Sequence, residues 1–337
     1  MNIEAFRQHF PDEAACRAFF ESMIWPDGRV CPHCGDTTSW VITSIHARPG
    51  LYHCKDCSRQ FTVTTKTPLH STKLTFWHWL MVMYYMVHSS KGVSSVFIAR
   101  WVGISQKSAW KMMHAVRTLM SCNQQALAPL HDVVEVDEKY VGGTPRYQHG
   151  VRHKRGRGTD KSCVLVAVQR RGPVRTKPIK TDSVAEIKPF IAEVIDSSAH
   201  LMSDQLSAYR IVGREFAAHD WVNHGEKEFV RGNAHNNTAE SYNAVLERAK
   251  LGVYHFFSPE HLKRYVDEVA FRWNQRDPQE VTVQRGKNQG LRKIVMKPRE
   301  VLDQLKSLLA NAIGCQIRRT ENSGIRILHE DSLLFGL

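Results

Sequence analysis

The amino-acid sequence predicts an α+β chain of several domains: a small cysteine-organised ribbon, a helical segment, and an α/β domain with a mixed central sheet. Three observations predict it. Four of the eight cysteines form two close pairs, residues 75–119 read as glycine-punctuated helices, and from residue 132 onward β-branched runs alternate with helical stretches. The length of 337 residues suggests two or three domains, and 42% apolar residues can supply their cores. Composition shifts place them at 1–70 (N-terminal helix and ribbon), 71–125 (helical segment), 126–290 (α/β domain) and 291–337 (helical extension).

Charge narrows the choice of partner. Lys and Arg total 46 against 33 Asp and Glu, a formal charge of +13 whose field attracts polyanions, nucleic acid first. The most apolar stretch, residues 76–87, contains His78 and is short of the about 20 residues a bilayer requires, so no membrane span is expected. The chain opens Met1-Asn-Ile-Glu-Ala-Phe-Arg7, without the basic cap and apolar run of a secretory signal. Its thiols are therefore expected in a reducing, cytoplasmic compartment, bound to metal or packed.

The ribbon comes first. Cys31-Pro-His-Cys34, nineteen intervening residues and Cys54-Lys-Asp-Cys57 have the spacing of a structural zinc site. Each Cys-x-x-Cys turns two thiolates toward one point, and two such turns complete a tetrahedron of soft ligands. Residues 40–45, 51–53 and 60–65 read as short strands, and so small a unit would draw its folding energy from the metal. His33 and His53 flank ligands, but four cysteines already fill the shell. Cys16, Cys122, Cys163 and Cys315 stand singly and read as packed thiols.

Next, residues 75–88 are apolar and aromatic, a buried helix ended by Lys91-Gly92, and residues 94–101 form a second helix. Val102-Gly103-Ile104 turns the chain into a third, 105–119, with Ser105 as N-cap and Trp110, Met113, Val116 and Leu119 at helical spacing. This is the order of a helix-turn-helix, in which Gln106, Lys107 and Lys111 lie on the exposed side of the recognition helix, in reach of bases or phosphates. A small three-helix packing unit gives the same pattern.

From Asp132 the character changes. Val133-Val-Glu-Val-Asp137 is a β-branched strand ending in an acid, and 163–169 and 174–179 are further strands. Residues 184–195 are helical, His200-Leu-Met-Ser-Asp204 is a strand ending in a second acid, and 207–216 are helical. Three strands, helix, strand, helix is the order of a ribonuclease H-like fold, in which strands one and four are neighbours and their acids converge. A third acid, Glu240, closes Asn236-Asn-Thr-Ala-Glu240 at the start of a helix running toward Ala249.

Three converging acids suit two divalent ions that activate a water or 3′-hydroxyl on one side of a phosphorus and stabilise the leaving oxygen on the other. Hard Mg2+ or Mn2+ prefers such carboxylate oxygens. Asn237-x-x-Glu240 also reads as a capping box, with Asn237 as N-cap and Glu240 at N3. Asp137 and Asp204 likewise read as solvated acids at strand ends.

At this point the residues carry a resemblance. Phe10-Pro-Asp-Glu13 and Cys16, Trp25-Pro-Asp-Gly28, the four-cysteine ribbon, Gly103-Ile-Ser-Gln-Lys-Ser-Ala-Trp110, Val134-Glu-Val-Asp137-Glu with Gly142-Gly143, Asp204 with Tyr209, Val222-Asn-His224, His235-x-Asn237-x-x-Glu240, and His261-Leu with Tyr265, Glu268, Phe271 and Asn274 together resemble the zinc-ribbon insertion-sequence transposases related to the Merlin transposons. The likeness spans about residues 8–277. It implies a bacterial DDE transposase that cuts and joins transposon ends, with structural zinc and two catalytic Mg2+ or Mn2+ ions. Its partners would be inverted repeats and target DNA, on which copies of the chain assemble as a homo-oligomer in the nucleoid. The resemblance makes Asp137 and Asp204 the first two acids and puts the third at Glu240, with Asn237 as the alternate. It sets His224 and His235 near the site, on phosphate or water. Two residues depart from the pattern: Lys66 stands where relatives usually carry Gly, and Glu247 where a Lys usually follows the third acid. That Lys would contact DNA, a task left here to Arg248 or Lys250.

Between Arg146 and Lys180 stand eleven Lys or Arg and one acid, Asp160. Glycines at 150, 156 and 158 keep this segment from settling into a helix, so it reads as a basic loop whose Lys154, Arg155 and Arg157 neutralise phosphates without reading sequence. Residues 298–313 carry Val301, Leu302, Leu305, Leu308 and Leu309 at helical spacing, a helix expected to pack on the catalytic domain or between subunits. The leading reading is a metal-dependent DNA transposase. Its rivals are a zinc-ribbon helix-turn-helix regulator without catalysis and a ribonuclease H-like nuclease without strand transfer.

Overall fold

The computed structural model describes residues 1–143, 149, 161–226, 228, 230–287, 289–319 and 325–329. The chain divides into two compact units, Met1–Ala126 with Glu300–Leu337, and Leu127–Arg299. The first opens with helices α1 (Ile3–His9) and α2 (Glu13–Ile24), whose N-caps Asn2 and Asp12 accept from the amides of Ala5 and Ala15. The ribbon follows as an antiparallel sheet of β1 (Ser39–Val41), β2 (Tyr52–Cys54) and β3 (Gln60–Phe61), in that order. Its strands are shorter than the sequence suggests. Residues 62–65 close a turn instead, in which Thr65 N–H donates to Thr62 O and Thr62 N–H to Thr65 Oγ1.

Helices α3 (Phe76–His88), α4 (Ser95–Val102) and α5 (Gln106–Gln125) begin at Thr75, Ser94 and Ser105, each capping its helix through the side-chain oxygen. Glu13 of α2 also takes the first amides of α3, from Phe76 at 2.7 Å and Trp77 at 3.1 Å. Gly103 ends α4 with φ +75°, and its amide and that of Ile104 both return to Ala99 O, which turns the chain sharply into α5. The buried stripe of Met112, Met113, Val116, Leu119 and Met120 carries α5 past residue 119 to Gln125. Trp110, expected in that stripe, is half-buried with its ring 4.2 Å from that of His114.

The second unit is built on a mixed sheet. Strands β4 (Val133–Val141), β5 (Ser162–Gln169) and β6 (Val174–Ile179) form an antiparallel meander, β4 against β5 and β5 against β6. After α6 (Val184–Val194), β7 (His200–Ser203) returns parallel to β4; after α7 (Ser207–Val212), β8 (Ala218–Trp221) adds parallel to β7. The sheet order is β6-β5-β4-β7-β8. The sequence did not announce β8, because Ala-His-Asp-Trp is short and lacks apolar alternation. Helices α8 (Asn237–Ala249) and α9 (Leu262–Asn274) cover one face of the sheet, and α6 and α7 the other. On β5, Cys163, Leu165 and Ala167 face α6 and α7 while Val164, Val166 and Val168 face α8 and α9. A strand buried on both sides must be apolar throughout, which is how this one reads.

Two strands, β9 (Arg276–Thr282) and β10 (Arg292–Pro298), then form a separate antiparallel hairpin. The chain returns to the first unit with α10 (Val301–Leu309) and a second hairpin of β11 (Cys315–Arg319) and β12 (Ile325–His329), which the expected all-helical extension did not include. The α10 stripe of Val301, Leu305, Leu308 and Leu309 is buried against α2, α3 and α5. This corrects the expectation that the helix packs on the catalytic domain or between subunits. An amphipathic stripe demands a partner but does not name it. Among the described residues no helix is long and apolar enough to cross a membrane.

Candidate active site and metal centre

In the ribbon, the sulphurs of Cys31, Cys34, Cys54 and Cys57 all lie within 4.8 Å of one another, with Cys31–Cys57 at 3.7 Å and Cys34–Cys54 at 3.5 Å. A tetrahedron with Zn–S bonds of about 2.3 Å has sulphur–sulphur edges of roughly 3.8 Å, so the four thiols fit zinc. The first knuckle is shaped by backbone bonds from Cys31 N–H to Asp36 O and from Gly35 N–H to Cys31 O, with Gly35 at φ +84°. A side chain there would strain the turn. His53 stacks on Trp40, ring to ring at 4.7 Å, and stands outside the ligand set. Lys66, where the resemblance leads one to expect Gly, sits at φ +54°, the left-handed conformation that favours glycine.

The acids lie in the second unit. The β4–β7 register pairs Val133 with His200 and Glu135 with Met202; continued two residues, it sets Asp204 beside Asp137. Asp137 projects toward α8, where Asn243 donates Nδ2–H to its Oδ2 at 2.8 Å, while the Glu138 amide holds Oδ1 at 2.9 Å. Asp204 follows β7 directly, and its Oδ1 accepts from Leu206 N–H at 2.9 Å, fixing the turn into α7. Glu240 is exposed on the first turn of α8. It shares with Asp137, Glu138, Lys139, Glu247 and Arg248 the wall of an open cleft of about 560 Å³. Burial, then the like charges of Glu138, Asp204 and Glu240, push the Asp137 carboxyl up to about 8 against the pull of the Glu138 amide. Carboxylate oxygens that repel one another are the donor type that a hard divalent cation prefers; as placed, only the four ribbon thiols, among the described residues, lie close enough together to share one ion.

A residue that the sequence analysis passed over organises this site. Glu135 stands two positions before Asp137 on β4, so its side chain shares the same face, and it is completely buried. Its carboxylate accepts from Thr238 N–H at 2.6 Å, Ala239 N–H at 3.0 Å, Thr238 Oγ1 at 3.0 Å and Arg170 Nε at 2.6 Å. It therefore caps α8 from the sheet. Arg170 also donates to the carbonyls of Asn233 and His235, and His235 Nδ1 lies 3.3 Å from Glu135. The capping box is corrected accordingly. Asn236, not Asn237, is the N-cap position, it makes no side-chain cap, and the orphan amides of α8 go to Glu135. Asn236 instead donates to Val136 O at 3.1 Å. An acid inside the run Val-Val-Glu-Val is the one signal that could have found Glu135, since a buried charge needs partners. Glu135→Ala is expected to cost about 3 kcal/mol, the range for breaking a buried ion pair, in denaturant unfolding; an unchanged midpoint would refute the capping role.

The other expected residues divide. Arg248 is exposed at the cleft. Lys250 is buried and bonded to Glu247 at 3.1 Å, and Glu247 also meets Lys139 at 3.7 Å. Lys250 is thereby corrected as a surface contact: the unexpected acid at 247 draws it inward. Asn237 is exposed and does not line the cleft. On α5, Gln106 and Lys107 are exposed, whereas Lys111 is half-buried. Gln106 Nε2 donates to Ser95 Oγ of α4 at 2.8 Å. His224 begins a short 3-10 turn, His224–Glu226, and its side chain lies outside the description. So do Lys154, Arg155 and Arg157, which fall outside the described residues.

Residues 11–60 match the transposase zinc-ribbon domain, and residues 129–274 the ISXO2-like transposase domain. Over 276 aligned residues the chain is 26% identical to an uncharacterized protein in transposable element ISH50 of Halobacterium salinarum, covering 78% of this chain and 91% of that relative.

Proposed function

We propose that this chain, which carries the zinc-ribbon and transposase domains of the insertion-sequence transposases, cleaves insertion-sequence ends and joins them to target DNA in a metal-dependent reaction. The observation that carries the reading is the convergence of Asp204 and Glu240 on Asp137, whose carboxyl is pushed up by burial and then by their charges, with Asp137 and Glu240 on the wall of one open cleft. The sheet order β6-β5-β4-β7-β8, with the first and fourth strands of the unit adjacent, supports a ribonuclease H-like catalytic domain. Helices α4 and α5 around Gly103 support a helix-turn-helix, with Gln106 and Lys107 at its solvent side. The reading places the protein in the bacterial cytoplasm, assembled as a homo-oligomer on DNA.

Asp137, Asp204 and Glu240 would hold two divalent ions, which when bound stabilise the attacking and leaving oxygens of an in-line displacement. Asn243 keeps Asp137 Oδ2 aimed into the cleft. Glu135 sets the height of α8 on the sheet and so the position of Glu240 relative to Asp137. Arg248 at the cleft wall is suited to the scissile strand's phosphates.

The test is joining of a labelled transposon end to plasmid DNA with and without Mg2+. Joining supports the reading; cleavage that never leads to joining favours a nuclease, and specific binding without metal-dependent cleavage a regulator. Within the same assay Glu240→Gln is expected to lose at least a hundredfold in rate, while Asn237→Ala stays within a few-fold of the wild type. The reverse pattern would transfer the third ligand to Asn237.

A further inference from the structure

Just beyond the residues that match the transposase domain, β9 and β10 form a ribbon that pairs with no other strand among the described residues. No residue of either strand is buried. A lone two-stranded ribbon is at best marginally stable in water, so both of its faces call for a partner. Its charge says which. From Arg276 to Arg299 there are seven Lys or Arg and two acids, Asp277 and Glu280. Both acids are matched inside the ribbon, Asp277 by Arg299 at 2.9 Å and Glu280 by Arg292 at 3.4 Å. Arg276 lies over the Trp273 ring at 3.7 Å. Among the described residues no ion pair involves Arg285, Lys287, Lys293 or Lys297. Lys293 and Lys297 lie on one face of β10, and Arg285 and Lys287 at the turn.

We propose that this hairpin is an arm that enters the major groove of duplex DNA. A two-stranded ribbon has the width that the groove admits, and the four cations would meet its phosphate walls. Ile294, 48% exposed and on the face of β10 opposite Lys293 and Lys297, is then placed for apolar contact with base edges such as the thymine methyl. A second copy of the chain fits less well, because ribbon against ribbon would set like charges together. The proposal rests on the reading of the protein as acting on DNA and adds where, and through which groove, it holds the duplex.

The test uses the full-length chain with Arg285, Lys287, Lys293 and Lys297 all replaced by alanine. Duplex affinity at about 0.15 M salt is expected to fall at least tenfold, and the slope of log K against log salt to become shallower by about 3, since each lost phosphate contact removes roughly 0.9. Guanine N7 methylation, which marks the major groove, is expected to block wild-type binding at a patch of sites where it leaves the variant unaffected. Duplex should also protect Lys293 and Lys297 of the wild-type protein from acetylation, a readout that needs no variant. An unchanged slope and methylation pattern, or unprotected lysines, would overturn the arm. So would a wild-type dimer that the substitutions dissociate while DNA affinity stays the same, since the hairpin would then face a second copy. These readouts measure binding alone: a wild-type chain that binds through the arm yet never cleaves would sink the catalytic reading and leave the arm standing.

Discussion

Asp137→Asn and Asp204→Asn are each expected to lower cleavage and joining by three or more orders of magnitude while folding and DNA binding persist. The substitution keeps the size of the side chain, and at position 137 the introduced amide oxygen can still accept from Asn243, so the helix contact at 2.8 Å need not be lost. What goes is the charge that would hold the metal. Duplex binding without metal should improve slightly, because a carboxylate that repels phosphate is gone. The double variant should be no slower than either single one, as befits groups acting as a unit. Single-turnover joining at saturating Mg2+ is the measurement, and full activity in either single variant would remove that acid from the site.

The second large effect is expected at the ribbon. Cys54→Ser leaves three thiolates where four now lie within 4.8 Å of one another, and zinc content should fall from one per chain to near zero after dialysis. The apolar core of β1–β3 is small, the rings of Trp25, Tyr52 and Phe61 packed on one another while Trp40 and Val41 are about half exposed, so the ribbon should melt with the metal. Sequence-specific binding of transposon ends should drop with it, while the sheet of the second unit keeps its structure. Elemental analysis and circular dichroism decide this. Zinc-free wild-type protein that binds ends normally in chelator would defeat the assignment.

The features read correctly in advance were those with short-range signatures. Paired cysteines announce their metal, and the β-branched runs before Asp137 and Asp204 announce two strands, although β4 continues past Asp137 to Val141 and Asp204 lies just beyond β7. What escaped depends on residues far apart in the chain. Glu135 caps a helix that begins 102 positions later, at Asn237, and no local motif encodes that bond. Glu13 does the same for α3 across 63 positions. The β9–β10 hairpin escaped for a different reason: neither of its faces is buried, so selection for apolar alternation left no trace there. Lys66 runs the other way, for the glycine that the resemblance led one to expect there suits the φ of +54° that Lys66 adopts.

The first unit is completed by residues from both sides of the second, since α10 seals the apolar faces of α2, α3 and α5. Synthesis on the ribosome therefore acquires a fixed order of events. At about 5–20 residues per second, roughly ten to thirty-five seconds separate the emergence of α5 from that of α10. During that interval Leu127–Arg299 can close its sheet, while the first unit waits with its core open to solvent. A ribosome stalled just before α10 releases a chain whose second unit is whole and whose first is unfinished. Such a nascent chain is a substrate for chaperones and proteases.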